Sequence, residues 1–319
     1  MKTLIQPGKS NNYLATLAIG EKYFGSWEKY AFPSWKKYCE RHGLGLVVFS
    51  SDLVLQTDKT WKKPTWQTWL IGDILKREKP SINNVCYLDS DILINHTAPN
   101  VFDNYSPTTI GLTSLRKHLP YPYEGTLRRI AFLRNRYYSD SYQLDSALFI
   151  SVEDLYKHHN LPVQPDEVCC GFYVCNVQNH SEQLKASFGN YDRTIQSITA
   201  GGSQTHFNYE VQSKFAVSWF DYKFQAIWLF EIAWKYPFLY KFGRYNKELI
   251  KECIEASLFT NYFLHFPGLW PESEMWNIEA ILSDPEVVGR FEEFKAYLDV
   301  PITGIPLGQI GPEKPLSQV

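Results

Sequence analysis

The sequence predicts an α/β fold with a mixed, mostly parallel central sheet flanked by helices. Three observations predict it: strand-length apolar runs recur through the first third, amphipathic stretches separate them, and Gly or Pro marks the changeovers. Residues 13–19 read as a first strand ending at Gly20, and a helix is expected over 26–42, kinked at Pro33 and stopped by Gly43. Residues 44–49 form a second apolar strand. Pro64 then opens a helix in which Trp66, Trp69, Leu70 and Ile74 recur at helical spacing, and it leads into a third strand over 85–88. Parallel strands need such covering crossovers, so three β-α units are in place by residue 91.

The middle of the chain is less regular. Residues 128–136 form a basic amphipathic stretch and 171–177 read as another strand. The end of the chain, with Pro301, Gly304, Pro306, Gly308, Gly311, Pro312 and Pro315, cannot sustain a helix or central strand and reads as a tail over 299–319.

Composition narrows the function. With 319 residues, 44% of them hydrophobic, the chain can bury a large core. A net charge of only -2 exerts no global pull toward nucleic acid or anionic membranes, so a specific small molecule is the expected partner. Aromatic residues make up 16% of the chain, enough to stack on sugars or bases as well as to fill the core. The first residues lack the apolar stretch of a signal peptide and no apolar span of about 20 residues occurs, so a cytoplasmic location is expected. The six Cys are scattered without a C-x-x-C pair, so neither a zinc ribbon nor a disulfide framework is signalled. A glycan on the sequon at Asn95 would obstruct the site considered next, so the sequons at Asn95, Asn104 and Asn179 are read as incidental.

Asp89-Ser90-Asp91 follows the third strand directly. Ligands of open α/β sheets collect beyond the carboxyl ends of the strands, so both carboxylates are expected to face a crevice. A tripeptide of this kind also occurs as an Asx-turn. Carboxylates in a crevice suit Mg2+ or Mn2+, which can bridge the phosphates of a nucleotide diphosphate. His265 closes a second strand-like run, Tyr262-Phe263-Leu264-His265, and is the candidate third ligand, a nitrogen donor that favours Mn2+. The alternative for a single His is a hydrogen-bonded core residue.

These residues resemble the GT-A glycosyltransferases, especially the retaining, glycogenin-like and lipopolysaccharide-galactosyltransferase-like branch. The resemblance covers residues 13 to about 270. The family's T-L-x-x-N-x-x-Y strand is similar to Thr16-Leu17-Ala18-Ile19-Gly20-Glu21-Lys22-Tyr23, with Gly20 in place of Asn. Leu17, Ile19 and Tyr23 would then hold the nucleobase. Asp89-Ser90-Asp91 corresponds to the family's D-x-D, which puts Ser90 against the donor. Gly171, in Cys170-Gly171-Phe172-Tyr173-Val174, would let the donor sugar approach the backbone. Ser203-Gln204-Thr205-His206-Phe207-Asn208 resembles D-Q-D-x-x-N without its acids, which implies Gln204 near the anomeric carbon and Asn208 near the donor. His265-Phe266-Pro267-Gly268 resembles H-x-x-G-x-x-K-P-W without its Lys, which implies donor contact at Gly268. Lys63, or a cation among Arg128, Arg129, Arg134 and Arg136, would have to take the missing cation's place.

The resemblance implies one Rossmann-like GT-A domain. Residues 1–105 would form its nucleotide-sugar half, and 106–298 its acceptor-binding and metal-completing half. The implied reaction moves a sugar from a nucleotide-diphosphate sugar, of the UDP type, to a saccharide, glycan or lipid-linked acceptor, with retention. An inverting reaction would need a carboxylate base, for which Asp145 and Asp221 are the candidates. A basic face over 128–136 would suit peripheral contact with a membrane, and equally a solvated helix face. Two other readings compete. A haloacid-dehalogenase-type phosphatase also uses Asp-x-Asp at a strand end, although at its first strand, and a non-catalytic carbohydrate-binding protein would use the aromatic residues.

Overall fold

A computed structural model describes residues 1–138, 149–199, 202–241, 243, 245–268 and 270–277. Asp145 and the tail over 299–319 lie outside the described residues. Ten strands are described: β1 (Lys2–Ile5), β2 (Tyr13–Leu17), β3 (Gly45–Phe49), β4 (Asn84–Leu88), β5 (Ile92–Ile94), β6 (Ile110–Thr113), β7 (Phe172–Asn176), β8 (Val217–Phe220), β9 (Ala226–Ile227) and β10 (Phe263–His265). Seven form a mixed sheet in the order β1-β3-β2-β4-β7-β6-β8, and β5-β10-β9 form a smaller one.

The large sheet is an α/β sheet of the expected kind. β3, β2, β4, β6 and β8 share one direction, whereas β1 and β7 are antiparallel to their neighbours. Its strands are apolar because both faces are covered. Alternate residues enter two cores: Leu14, Leu46, Cys86 and Val174 face one, and Tyr13, Ala15, Val47, Val85 and Tyr173 the other. The helices Ile71–Glu78, Val177–Gly189 and Gln204–Lys214 pack on the second side. The small sheet, the helix Phe32–His42 and the helix Tyr123–Tyr137 pack on the first. Both sheets draw strands from either side of residue 105.

Two local expectations need correcting. β1 carries exposed and half-buried residues in alternation, too weak a pattern to read as a strand, yet it pairs with β3. The helix expected over 26–42 begins at Glu21 and passes through a π-helical turn at Trp27–Ala31. Pro33 stands in the first turn of Phe32–His42, where its missing N–H matters least, and the wider π turn just before it absorbs the distortion. Gly43 ends the helix at φ 62°, a left-handed cap.

Candidate metal centre

Asp89-Ser90-Asp91 is the link between the two sheets, because β4 belongs to the large one and β5 to the small one. Backbone bonds hold the link on both sides. Asp89 N donates to Gly171 O (2.9 Å), and Asp91 O accepts from Phe266 N (3.1 Å). In the antiparallel β5–β10 pair, His265 faces Ile92, the residue after Asp91. Cross-strand register therefore brings a His distant in sequence onto the acidic pair.

His265 Nε2 lies 3.3 Å from Asp91 Oδ1 and 3.6 Å from Asp89 Oδ2. The ligand atoms of the three residues all fall within 4.8 Å of one another. A hard octahedral cation with bonds of about 2.1 Å spaces adjacent ligands by about 3 Å, so these separations suit one. Two of the atoms, Asp91 Oδ1 and His265 Nε2, are buried and have no hydrogen-bond partner among the described residues. Two orphaned lone-pair atoms aimed at one point are a fit for a shared cation.

The electrostatics agree. Burial and the neighbouring Asp91 raise the Asp89 carboxyl above its ordinary range, against the opposing influence of His265 and Tyr87. Burial alone would lower the His265 imidazole, but Cys169 and Asp91 outweigh it and hold the ring well above its ordinary value. A proton and a cation therefore compete for the same position between His265 and the acids.

A second shell orients these groups. Tyr87 donates to Asp89 Oδ1 (2.5 Å), which turns Oδ2 toward His265. Gln225 Nε2 lies 3.2 Å from His265 Nδ1 and donates to Cys169 O (3.1 Å), while the Thr113 hydroxyl donates to Gln225 Oε1. Thr113 thereby fixes the amide, which packs against the imidazole ring. Gly171 has a steric role: a Cβ there would lie 2.4 Å from His265 Cε1 and 2.6 Å from Asp89 Oδ2. Its absent side chain makes room for the two ligands themselves.

The segment leading into Gly171 is clamped by three amides spaced four residues apart on Gln204–Lys214. Gln204 Nε2 donates to Glu167 Oε1 (3.1 Å), Asn208 bonds both N and O of Val168 (2.8 and 2.9 Å), and Gln212 Nε2 donates to Asp166 O (2.7 Å). Gln204 is half-buried, whereas Asn208 is buried within this clamp.

The other expected residues spread along the same edge or away from it. Leu17 is buried at the end of β2, Ile19 is half-buried just beyond it, and Tyr23 is 53% exposed on the helix Glu21–Ser26. Ser90 is half-buried within the acidic turn. Gly268 adopts φ 90°, and a Cβ there would meet the Trp270 ring at 2.9 Å. Lys63 is exposed, and its N–H donates to Gln196 Oε1 (2.9 Å). The neighbouring Lys62 is instead buried and donates to three backbone carbonyls, with burial lowering its pKa to about 8.

Arg134 is buried in a forked pair with Glu272 (2.9 and 3.3 Å), and Arg129 donates to Ala233 O over the Trp234 ring. Arg128 pairs with Glu124 at 3.6 Å, and Arg136 lies over Phe132 and Tyr137. Asp221 accepts from Lys223 N (2.9 Å) as a helix cap and lines a cleft with Phe224 and Tyr262, at the end of β10 opposite His265. The structure does not bring it to the metal centre. Sequence reading assigned no role to Glu167, Gln225 or Cys169.

No described helix is long and apolar enough to cross a membrane. No family model and no curated protein matches the sequence. Among solved structures, the chain is similar to a glycosyltransferase involved in the glycosylation of the major capsid of PBCV-1, at 12% identity and TM-score 0.47, over 83% of this chain and 98% of that one. It is also similar to the WbbM bifunctional glycosyltransferase in its apo form, at 12% identity and TM-score 0.43, over 89% of this chain and 52% of that one, about half its length.

Proposed function

We infer that this protein is a divalent-metal-dependent glycosyltransferase, which moves a sugar from a nucleotide-diphosphate sugar of the UDP type to a saccharide or glycan acceptor. The observation that carries the reading is the convergence of Asp89, Asp91 and His265 at the strand-end edge, with two of their ligand atoms buried and unpartnered among the described residues. Mn2+ or Mg2+ bound there supplies positive charge to a diphosphate leaving group. Asp89, Asp91 and His265 would hold the ion, and Tyr87 keeps the Asp89 carboxylate turned toward it.

Tyr23, exposed beyond the end of β2, offers its ring to the nucleobase. Gln204 bonds Glu167, in the segment that leads toward β7, and would contact the donor sugar from there. The resemblance in sequence supports retention of configuration.

Thermal unfolding with Mn2+ and a panel of nucleotide-sugars tests the reading, because a ligand of the folded state raises the apparent midpoint. A nucleotide-sugar should stabilise the protein only with Mn2+ present and should be slowly hydrolysed. Asp91→Asn should remove both effects and leave the fold intact. Full metal-dependent turnover by Asp91→Asn would eliminate the metal role.

A further inference from the structure

We propose that Glu167 is a positioning residue: it holds the Gln204 amide with its nitrogen inward, which leaves the Gln204 carbonyl oxygen to meet a bound donor. The inference rests on the reading of this edge as a transferase centre.

Glu167 has no freedom to move. Asn208 pins the residue after it and Gln212 the residue before it. The residue is 3% exposed; one carboxyl oxygen accepts from Gln204 Nε2 at 3.1 Å, and the other, Oε2, is buried without a hydrogen-bond partner among the described residues. Packing alone would be better served by an apolar side chain, since a buried half-satisfied carboxyl is destabilising.

An acid does one thing here that an amide cannot. An ionised carboxylate only accepts, so it forces the NH2 of Gln204 toward itself; a second amide would accept either orientation. The oriented amide then presents a fixed oxygen where positive charge develops at an anomeric carbon. The location fits, because Gln204 opens its helix beside Ser203, and Cys170 interacts with both Ser203 and Asp89.

The charged and titratable groups around Glu167 are few. Arg116, which is directed at Glu153 (3.8 Å), lowers its pKa and Asp166 raises it, while Tyr123 and Tyr156 approach from their helices. Burial outweighs them all and pushes the carboxyl up to about 7, despite the Gln204 bond. Gln204 should therefore be locked above neutral pH and released below it.

The test follows Mn2+-dependent hydrolysis of the nucleotide-sugar from pH 5.5 to 8.5 in the wild type, Glu167→Gln, Gln204→Ala and the double variant. The expected result is a wild-type kcat that rises through pH 7, and a loss of at least tenfold in Glu167→Gln with that rise abolished and KM little changed. The double variant should be no worse than Gln204→Ala within about threefold. Wild-type kcat and an unaltered profile in Glu167→Gln would overturn the proposal.

A second measurement needs no turnover. The side-chain amide resonances of Gln204, assigned with Gln204→Ala, should titrate near pH 7 in the wild type and stay flat in Glu167→Gln. Flat resonances in the wild type would also overturn it. Absence of hydrolysis by the wild type with every nucleotide-sugar sinks the transferase reading, whereas the resonances report on the Glu167–Gln204 coupling by themselves.

Discussion

Replacing Glu167 by Gln should stabilise the protein at pH 8 relative to pH 5. Burial lifts the folded-state carboxyl from its ordinary 4.5 to about 7. The folded value lies above the unfolded one, so between these pH values the unfolded chain has released its proton while the folded chain retains it. Stability from the neutral carboxyl is thus full below about pH 4.5 and is lost as the pH rises through 7. At about 1.4 kcal/mol per pH unit the full effect is about 3 kcal/mol, and roughly 2.5 kcal/mol of it develops between pH 5 and pH 8.

Gln has the same shape, still offers Gln204 an acceptor and does not titrate. Its stability relative to the wild type should therefore rise by roughly 2.5 kcal/mol across that interval, or roughly 5 °C in the unfolding midpoint. Urea unfolding of both proteins at pH 5, 6, 7 and 8 measures this directly. A constant difference at all four would show that Glu167 is ionised throughout, and the argument from its burial would fail.

The remaining predictions concern the metal centre and its supports. Because Cys169 and Asp91 outweigh burial and raise the His265 imidazole well above its ordinary value, the metal-free protein should lose stability as the pH rises from the ordinary histidine range through the elevated folded value. Stabilisation by Mn2+ should grow over the same interval, and a pH-independent Mn2+ affinity in calorimetry would contradict the proton displacement. Gly171→Ala places a methyl 2.4 Å from His265 Cε1 and should weaken Mn2+ binding at least tenfold, as read by electron paramagnetic resonance of free Mn2+. Arg134 and Glu272 both have fully buried side chains, so Glu272→Ala, which leaves the guanidinium without its carboxylate, should lower stability by about 3–5 kcal/mol in urea unfolding. Glu272→Leu with Arg134→Met should lower it less, because neither charge is then stranded.

Much of the fold was legible because its signals are local. The apolar runs of β2, β3 and β4 are buried on both faces and so carry no polar interruption, and Gly43 and Pro64 punctuate helices through their own backbone geometry. β1 escaped because an edge strand on a large sheet needs little apolar patterning, and the π turn before Pro33 is a response to packing. Asp89 and Asp91 were legible from the strand they follow, and His265 from the aromatic run it closes. Glu167 was not: between Pro165, Asp166 and Val168 it reads as part of a surface turn, and only segments distant in the chain, the helix Gln204–Lys214 among them, bury it.

By itself, then, the sequence determined the alternation of strands and helices and the place of an acidic pair at a strand end, since periodicity and chain direction act over a few residues. Tertiary structure decided that Ile92 pairs with His265, which sets 3.3 Å between imidazole and carboxylate, and that Gln225 and Gly171 shape the space around them. It also decided which acids are raised, because desolvation depends on segments far apart in the chain closing over one group, and no local pattern encodes that closure.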